Sequence, residues 1–441
     1  MQLLRALKES LYFPLAYYFR FFAEIRLQRW RPRVIVVTGS SGKTTLLNLI
    51  QSQLKERARY SHKANSSYGI PFDILGLKRK TFLMHEWLEL FIKAPFAVFK
   101  SLPKEKIYAV EVDCDRSSEG RFLATLLKPE VTLWLNSSKT HSMNFDEAIN
   151  PPAGGRKFSS IEKAIAYEFG NLLAHTSELA MVNGDSDLID AELYRTKAQI
   201  RKVSKRGHLQ GYQITPHGQT RFRIDEKDYS FSYLLPEDTF YSIKMTLGLM
   251  EHLKIAPDYS FSGFTLPPGR SSVFKGVKNI TIVDSSYNAN LDSMRVILDM
   301  FNRMPASAKA SAGKWAVLGD MIEQGAAEKE EHEKLAELLL NYNFERVLLM
   351  GPRMSKYAYP KLETLSSHFS PLGTQIIEKF LNPTEVLKYL QVNIQGEETI
   401  LFKGARFLEG VIEHLLADRE DAKKLCRQEK VWKIRRKQWG L

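Results

Sequence analysis

Short apolar runs rich in β-branched residues recur along the chain, each followed by the three-to-four-residue spacing of an amphipathic helix. Arg33-Val-Ile-Val-Val37 reads as a buried strand that leads through a Gly-containing turn into a helix carrying Leu46, Leu47, Leu49 and Ile50. Ile107–Val112, Val131–Leu135 and Leu179–Val182 repeat the strand pattern, with helical stretches between them. That alternation predicts a parallel α/β sheet. From Leu209 to Leu235 the period shortens to β-like alternation, with a turn at Pro216-His-Gly218, and this predicts a β appendage. Beyond a Pro/Ser/Gly-rich linker at Pro257–Pro268 the alternation restarts. Asn279–Val283, Trp315–Leu318, Arg346–Met350 and Thr399–Phe402 each read as a strand followed by a helix, giving a second, doubly wound α/β domain.

The ends of the chain differ from this pattern. Residues 1–32 are aromatic and basic, with Arg5, Lys8, Arg20, Arg26 and Arg29 among Leu, Tyr and Phe. Such a stretch either packs as a helix on the domain that follows or lies on a membrane surface. Residues 418–441 form a basic tail with Trp432 and Trp439. The net charge of +13 suits anionic substrates, nucleic acid or acidic lipid head groups, or else a solvated basic surface. No apolar run reaches the ~18 residues that span a bilayer, and the N-terminus lacks the cleavage site of a signal peptide. The expectation is a cytoplasmic protein, with room for contact at the inner face of the membrane. Cys114 and Cys426, far apart and without metal spacing, fit a reducing compartment.

Candidate chemistry begins at Val37-Thr-Gly39-Ser40-Ser41-Gly42-Lys43-Thr44-Thr45, where strand gives way to helix. Glycines there let backbone N–H groups turn towards phosphate oxygens, and the helix N-terminus adds its positive dipole end. Lys43 is placed to reach the β- and γ-phosphates, and the Thr44 hydroxyl to bind Mg²⁺. Val37 stands where the longer form of this loop has its first glycine. Alone, the loop means nucleotide binding and leaves the reaction open among kinases, ATPases, GTPases and ligases.

An ordered series of further motifs resembles the Mur ligase family, from about residue 33 to about residue 417. The loop itself resembles the family's T-G-[ST]-x-G-K-T-[ST], and Asn65-Ser-Ser-Tyr-Gly69-Ile-Pro71 its next segment. Ala109-Val-Glu111 resembles the strand end bearing a magnesium-binding glutamate, and Asn136 through His141 the segment whose histidine lies beside metal and phosphate. Val182-Asn183-Gly-Asp185 resembles the N-x-D strand end. Pro268-Gly269-Arg270 with Asp284-Ser-Ser-Tyr287-Asn288-Ala289-Asn290 resembles the G-R … D-x-Y-N-A-N-P signature. Val317-Leu-Gly319-Asp320-Met321-Ile-Glu323-Gln-Gly325, with His332 downstream, is similar to the block of the D-alanyl-D-alanine-adding branch. Leu401-Phe-Lys403-Gly404-Ala405-Arg406 resembles the closing K-G-S-R.

The resemblance implies a P-loop parallel-sheet ATPase domain with the β appendage over residues 33–258, followed by a Rossmann-like α/β domain over residues 259–417. It implies an ATP- and Mg²⁺-dependent ligase joining a peptide or small-molecule carboxylate to an amino-acid or dipeptide amine in cell-wall peptide synthesis. ATP phosphorylates the carboxylate, and the amine attacks the resulting acyl phosphate, with release of ADP and phosphate. By resemblance Lys43, Glu111, His141, Arg270 and Asp284 serve catalysis. Thr44, Glu111 and His141 serve metal, and Tyr287 and Asn288 lie near the adenosine. By themselves, Glu111 reads as a solvated carboxylate or a salt-bridge partner, Arg270 as one more surface cation and His332 as a structural histidine. Lys403 and Arg406 stand evenly between surface charge and function.

Three departures stand out. Residues 1–32 ahead of the first strand do not amount to the UDP-binding domain with which the family normally begins. Where the family carries a carbamylated lysine, this chain has Ala166 or Tyr167, with Lys163 about one turn earlier. The family's H-N-x-x-N helix start reads Thr239-Phe-Tyr-Ser242. They point to a changed second metal site, a changed substrate or lost catalysis. Two alternatives therefore stand beside the leading reading: a poly-γ-glutamate-type ligase on a non-UDP acceptor, and a non-catalytic ATP-binding homologue. A nucleic-acid-dependent ATPase would rest on charge alone, on runs such as Arg201-Lys-Val-Ser-Lys-Arg206.

Overall fold

The computed structural model describes residues 2–62, 64–79, 84–149, 151, 156–215, 218–305, 313–368, 375–404 and 407–441. The turn residues Pro216 and His217, and Arg406 of the K-G-A-R motif, lie outside them. The chain divides into two compact units. One comprises residues 1–138, 147–205 and 241–264; the other comprises residues 139–146, 206–240 and 265–441.

The first unit holds a six-stranded parallel sheet of β1 (Arg33–Thr38), β2 (Ala58–Tyr60), β3 (Ile107–Val112), β4 (Val131–Trp134), β5 (Leu179–Asn183) and β6 (Gln199–Val203), in the order β2-β3-β1-β4-β5-β6. β3 is buried along its whole length, and β1 everywhere but its first residue, as covering both sheet faces requires. The four strands read from apolar runs are all present. The two edge strands escaped because β2 has three residues and β6 is Gln199-Ile-Arg-Lys-Val203, mostly exposed. The basic run at Arg201 is thus largely the polar edge of the sheet.

Four helices of this unit matter below: α1 (Gln2–Trp30), α2 (Lys43–Leu54), α3 (Gly69–Leu75) and α4 (Met84–Ala97). α1 buries Ala16, Phe19, Ala23, Leu27 and Trp30, so its second half packs on the unit. Phe19 lies 4.8 Å from the rings of both Phe72 and Phe91. The buried Arg26 donates to the carbonyls of Ala97 and Ser101 at 2.6 and 2.8 Å, capping the end of α4.

In the second unit β10 (Ser272–Lys275), β11 (Thr281–Ser285), β12 (Lys314–Gly319), β13 (Arg346–Met350), β14 (Ile376–Phe380) and β15 (Thr399–Lys403) form a sheet in the order β10-β11-β15-β12-β13-β14. All neighbours run parallel except β10 and β11. The appendage is a three-stranded antiparallel sheet of β7 (Leu209–Ile214), β8 (Thr220–Ile224) and β9 (Lys227–Phe231). By packing it groups with the second unit, because Ile214 and Leu234 enter the core built by Val283, Phe301 and Leu401. The break at Phe264/Thr265 falls inside the Pro/Ser/Gly-rich linker. Residues 418–441 fold onto this unit as well. Leu425 and Cys426 are buried, and the buried Arg436 pairs with Glu413 at 2.9 Å.

Candidate active site

In the first unit the loop leaves the C-terminal end of β1, the strand between β3 and β4, where an α/β sheet offers a ligand crevice. Gly39 and Gly42 have φ of 136° and 79°, values open mainly to glycine. A Cβ on Gly39 would lie 3.0 Å from the backbone N and O of Asn136, so the loop and that segment touch at van der Waals range. Asn136 fixes the loop: its backbone carbonyl accepts from Ser40 N at 3.2 Å and its side-chain oxygen from Ser41 N at 2.9 Å. α2 begins at Lys43 behind Gly42, which supplies no side-chain cap. The first N–H groups of the helix, at Lys43, Thr44 and Thr45, have no carbonyl partner within it and suit an anion.

Parallel pairing sets Glu111 of β3 beside Val37, at the loop end of the sheet. Its carboxylate accepts from the Thr44 hydroxyl at 2.9 Å, while Ser61 Oγ accepts from its backbone N–H at 3.0 Å. Lys43 Nζ donates to Gly39 O at 2.6 Å and lies 2.8 Å from Asp113. Burial works against the Lys43 charge, but Asp113 and Glu111 outweigh it and raise the lysine above its usual range. Hard oxygens from Thr44 and Glu111 beside a phosphate loop fit Mg²⁺, and the loop fits the phosphates of ATP. Asp113 went unread in the sequence, yet it was detectable: it follows Glu111 by two, so both carboxylates project to one side of the strand and its extension.

His141 belongs to the second unit by packing, with Nδ1 2.6 Å from Glu323 Oε2. Met143 N donates to Glu323 O at 3.2 Å, and Lys139 Nζ reaches Glu331 at 3.1 Å. Glu323 thus orients the histidine, and its place in the Gly-Asp-Met block was the signal. His332 is structural: its Nε2 accepts from Met321 N at 3.2 Å, and its Nδ1 sits 2.6 Å from Glu328 O.

A second cluster gathers Arg270, Asp284, Tyr287, Asn288 and Lys403. Register places Ser285 of β11 opposite Lys403 of β15, bringing their strand ends together. Lys403, buried, donates to Asn288 O at 2.6 Å. Burial first, and then Arg270, depress its pKa to about 7 against the opposing pull of Asp284. Asp284 is fully buried, which raises its pKa, though Ser286 N donates to one of its oxygens at 3.0 Å. The Arg270 guanidinium lies 4.7 Å over the Tyr287 ring, and Arg427 approaches the same ring at 5.6 Å. Asp284 Oδ2 and Arg270 Nε are buried without a hydrogen-bond partner among the described residues. Buried polar atoms left without a partner suit a polar ligand, an ion or a water. Arg427, which also bonds the Ser286 carbonyl at 3.3 Å, comes from the stretch read as a tail.

Two of the departures can be located in the first unit. Lys163 is exposed on the helix Ile161–Ala174, whereas Ala166 is buried. Tyr167 has Arg156 and Arg195 over its ring at 4.3 and 4.2 Å. In the altered helix start, Tyr241 donates to Asp185 at 2.6 Å.

Residues 269–406 match the Mur ligase, glutamate ligase domain. UDP-N-acetylmuramoyl-tripeptide–D-alanyl-D-alanine ligase of Escherichia coli (strain K12) is 23% identical over 386 residues, spanning 85% of this chain and 74% of the relative. The protein of that name from Bacillus subtilis (strain 168) is 23% identical over 404 residues, 89% of this chain and 78% of the relative. The crystal structure of MurF ligase from Thermotoga maritima in complex with ADP aligns with a TM-score of 0.68 at 22% identity, covering 92% of this chain and 84% of that one. That likeness establishes a shared fold.

Proposed function

Since this chain belongs to the Mur ligase family, we propose that it is an ATP-dependent carboxylate–amine ligase of cell-wall peptide synthesis. It joins a peptide or small-molecule carboxylate to an amino acid or a dipeptide such as D-alanyl-D-alanine and releases ADP and phosphate. ATP and Mg²⁺ supply the phosphoryl group that activates the carboxylate and the charge that neutralises it. The chain's own groups bind and orient: the Gly39–Thr45 loop cradles phosphates, Lys43 counters their charge, and Thr44 with Glu111 holds the metal ion. His141, steadied by Glu323, would serve a second metal ion. Arg270, Asp284, Tyr287 and Asn288 serve the nucleotide, with Lys403 beside them. The enzyme works in the cytoplasm, at the inner face of the membrane.

The observation that supports this best is the pairing of Lys43 with Asp113 and of Thr44 with Glu111 at one loop. The deciding experiment measures ADP and phosphate release with Mg·ATP across amino acids, dipeptides and cell-wall precursors, with Lys43→Ala as control. Release that needs one carboxylate and one amine, and vanishes in the control, is the expected result. ATP binding without turnover on any pair would overturn it.

A further inference from the structure

The helix α4 is apolar on both sides. Leu90, Ala94 and Ala97 are buried, and Arg26 of α1 ties down the end of the helix. On the other side Leu88, Ile92 and Phe96 are 67%, 58% and 69% exposed, and Phe99, in the turn after the helix, is 80% exposed. The four-residue spacing of Leu88, Ile92 and Phe96 lines them along one ridge of the helix, and Phe99 follows two residues beyond its end. Four large exposed apolar side chains within 12 consecutive residues need an occupant. With 14 residues, α4 is about 21 Å long, too short to cross a hydrocarbon core of about 30 Å. Among the described residues no helix is long and apolar enough to cross a membrane.

Charge identifies the occupant. Lys93, Lys100, Lys104 and Lys106 are exposed on or just after the ridge, against Glu89, which pairs with Lys93, and Glu105. Apolar side chains bordered by lysines suit an interface with acyl chains below and phosphates at the rim. A second copy seated on the same ridge would bring these lysines face to face. α1 is less suited, because its main apolar face is already used inside the unit, leaving Leu11, Tyr17 and Phe21 exposed, each less so than Leu88, Phe96 or Phe99.

We infer that the outer ridge of α4, Leu88-Ile92-Phe96, together with Phe99 just past its end, docks this protein on an anionic lipid surface. This deepens the membrane part of the proposed function by placing the contact on α4 rather than on residues 1–30, and does not depend on the ligase reading.

Flotation of the full chain with phosphatidylcholine vesicles, with and without phosphatidylglycerol, tests it. The wild type should bind the anionic vesicles and release them as salt rises. The double variant Phe96→Ser, Phe99→Ser should bind about tenfold or more weakly, while Tyr17→Ser, Phe21→Ser should stay within about twofold of wild type. Unchanged melting and Mg·ATP binding verify the fold of each variant. If only the α1 variant loses binding, the α4 assignment falls and contact through residues 1–30 stands. If the wild type binds no vesicles, both fall. If sedimentation instead shows a dimer that Phe96→Ser, Phe99→Ser dissolves, a second copy is the occupant and the inference is overturned.

Discussion

The Lys43 ammonium lies 2.8 Å from a carboxylate oxygen of Asp113, and both side chains are almost completely shielded from water. Neither charge is tolerable there alone, so the pair holds the loop lysine in place before any nucleotide arrives. Asp113→Asn keeps the shape and removes the charge. It should lower stability by about 2 kcal/mol, read from urea unfolding. The folded Lys43 pKa is raised, so the stability this contributes is fully present below the unfolded lysine value of about 10.4. It is lost only as pH rises through the higher folded value. The Asp113→Asn penalty should therefore stay level from neutral pH to about pH 9; a penalty that shrinks across that range would contradict the pairing.

Gly39→Ala should damage nucleotide binding more than any other single methyl added to the loop. At φ 136° an L-residue is strained, and its Cβ would press on the Asn136 backbone at 3.0 Å. The expected outcome is ATP affinity reduced by about tenfold or more, with about 2 kcal/mol lost in stability. Calorimetric titration and thermal melting would read both, and wild-type affinity would show that the loop tolerates the distortion.

Lys403 offers a pH test. Its folded pKa of about 7 lies below the unfolded lysine value. Between about pH 7 and about pH 10 the unfolded chain then binds more protons there than the folded one, and stability rises with pH. The wild type should gain up to about 2 kcal/mol from this group between about pH 7 and about pH 9. Lys403→Met should lack that gain. Parallel unfolding curves at the two pH values would show whether the slopes differ.

Lys163 is exposed, and the neighbouring Tyr167 is covered by two arginines. Lys163→Ala should keep turnover within about twofold, as for other surface sites, and removing dissolved carbon dioxide should leave turnover unchanged. Loss of activity that bicarbonate restores would mean that Lys163 supplies the carbamate after all.

The sequence by itself determined the parts whose signal is local. Apolar runs such as Arg346–Met350 became strands at the positions read, because only a buried strand satisfies so many β-branched and apolar residues in a row. The phosphate loop was legible because Gly39, Gly42, Lys43 and Thr44 carry their chemistry in adjacent positions. The tertiary structure decided what depends on partners distant in sequence. Asp113 becomes Lys43's counter-ion, and Glu323 the partner of His141, only once strands and loops are laid side by side. Edge strands such as Gln199–Val203 are polar and gain their pairing from a neighbour, so periodicity alone missed them. Residues 418–441 read as a tail by charge, yet Arg427 and Arg436 each find a carboxylate or carbonyl more than 20 residues away in sequence. Local pattern fixes the backbone path of each element; which side chains then meet is set by packing between elements, and no single stretch of sequence contains that.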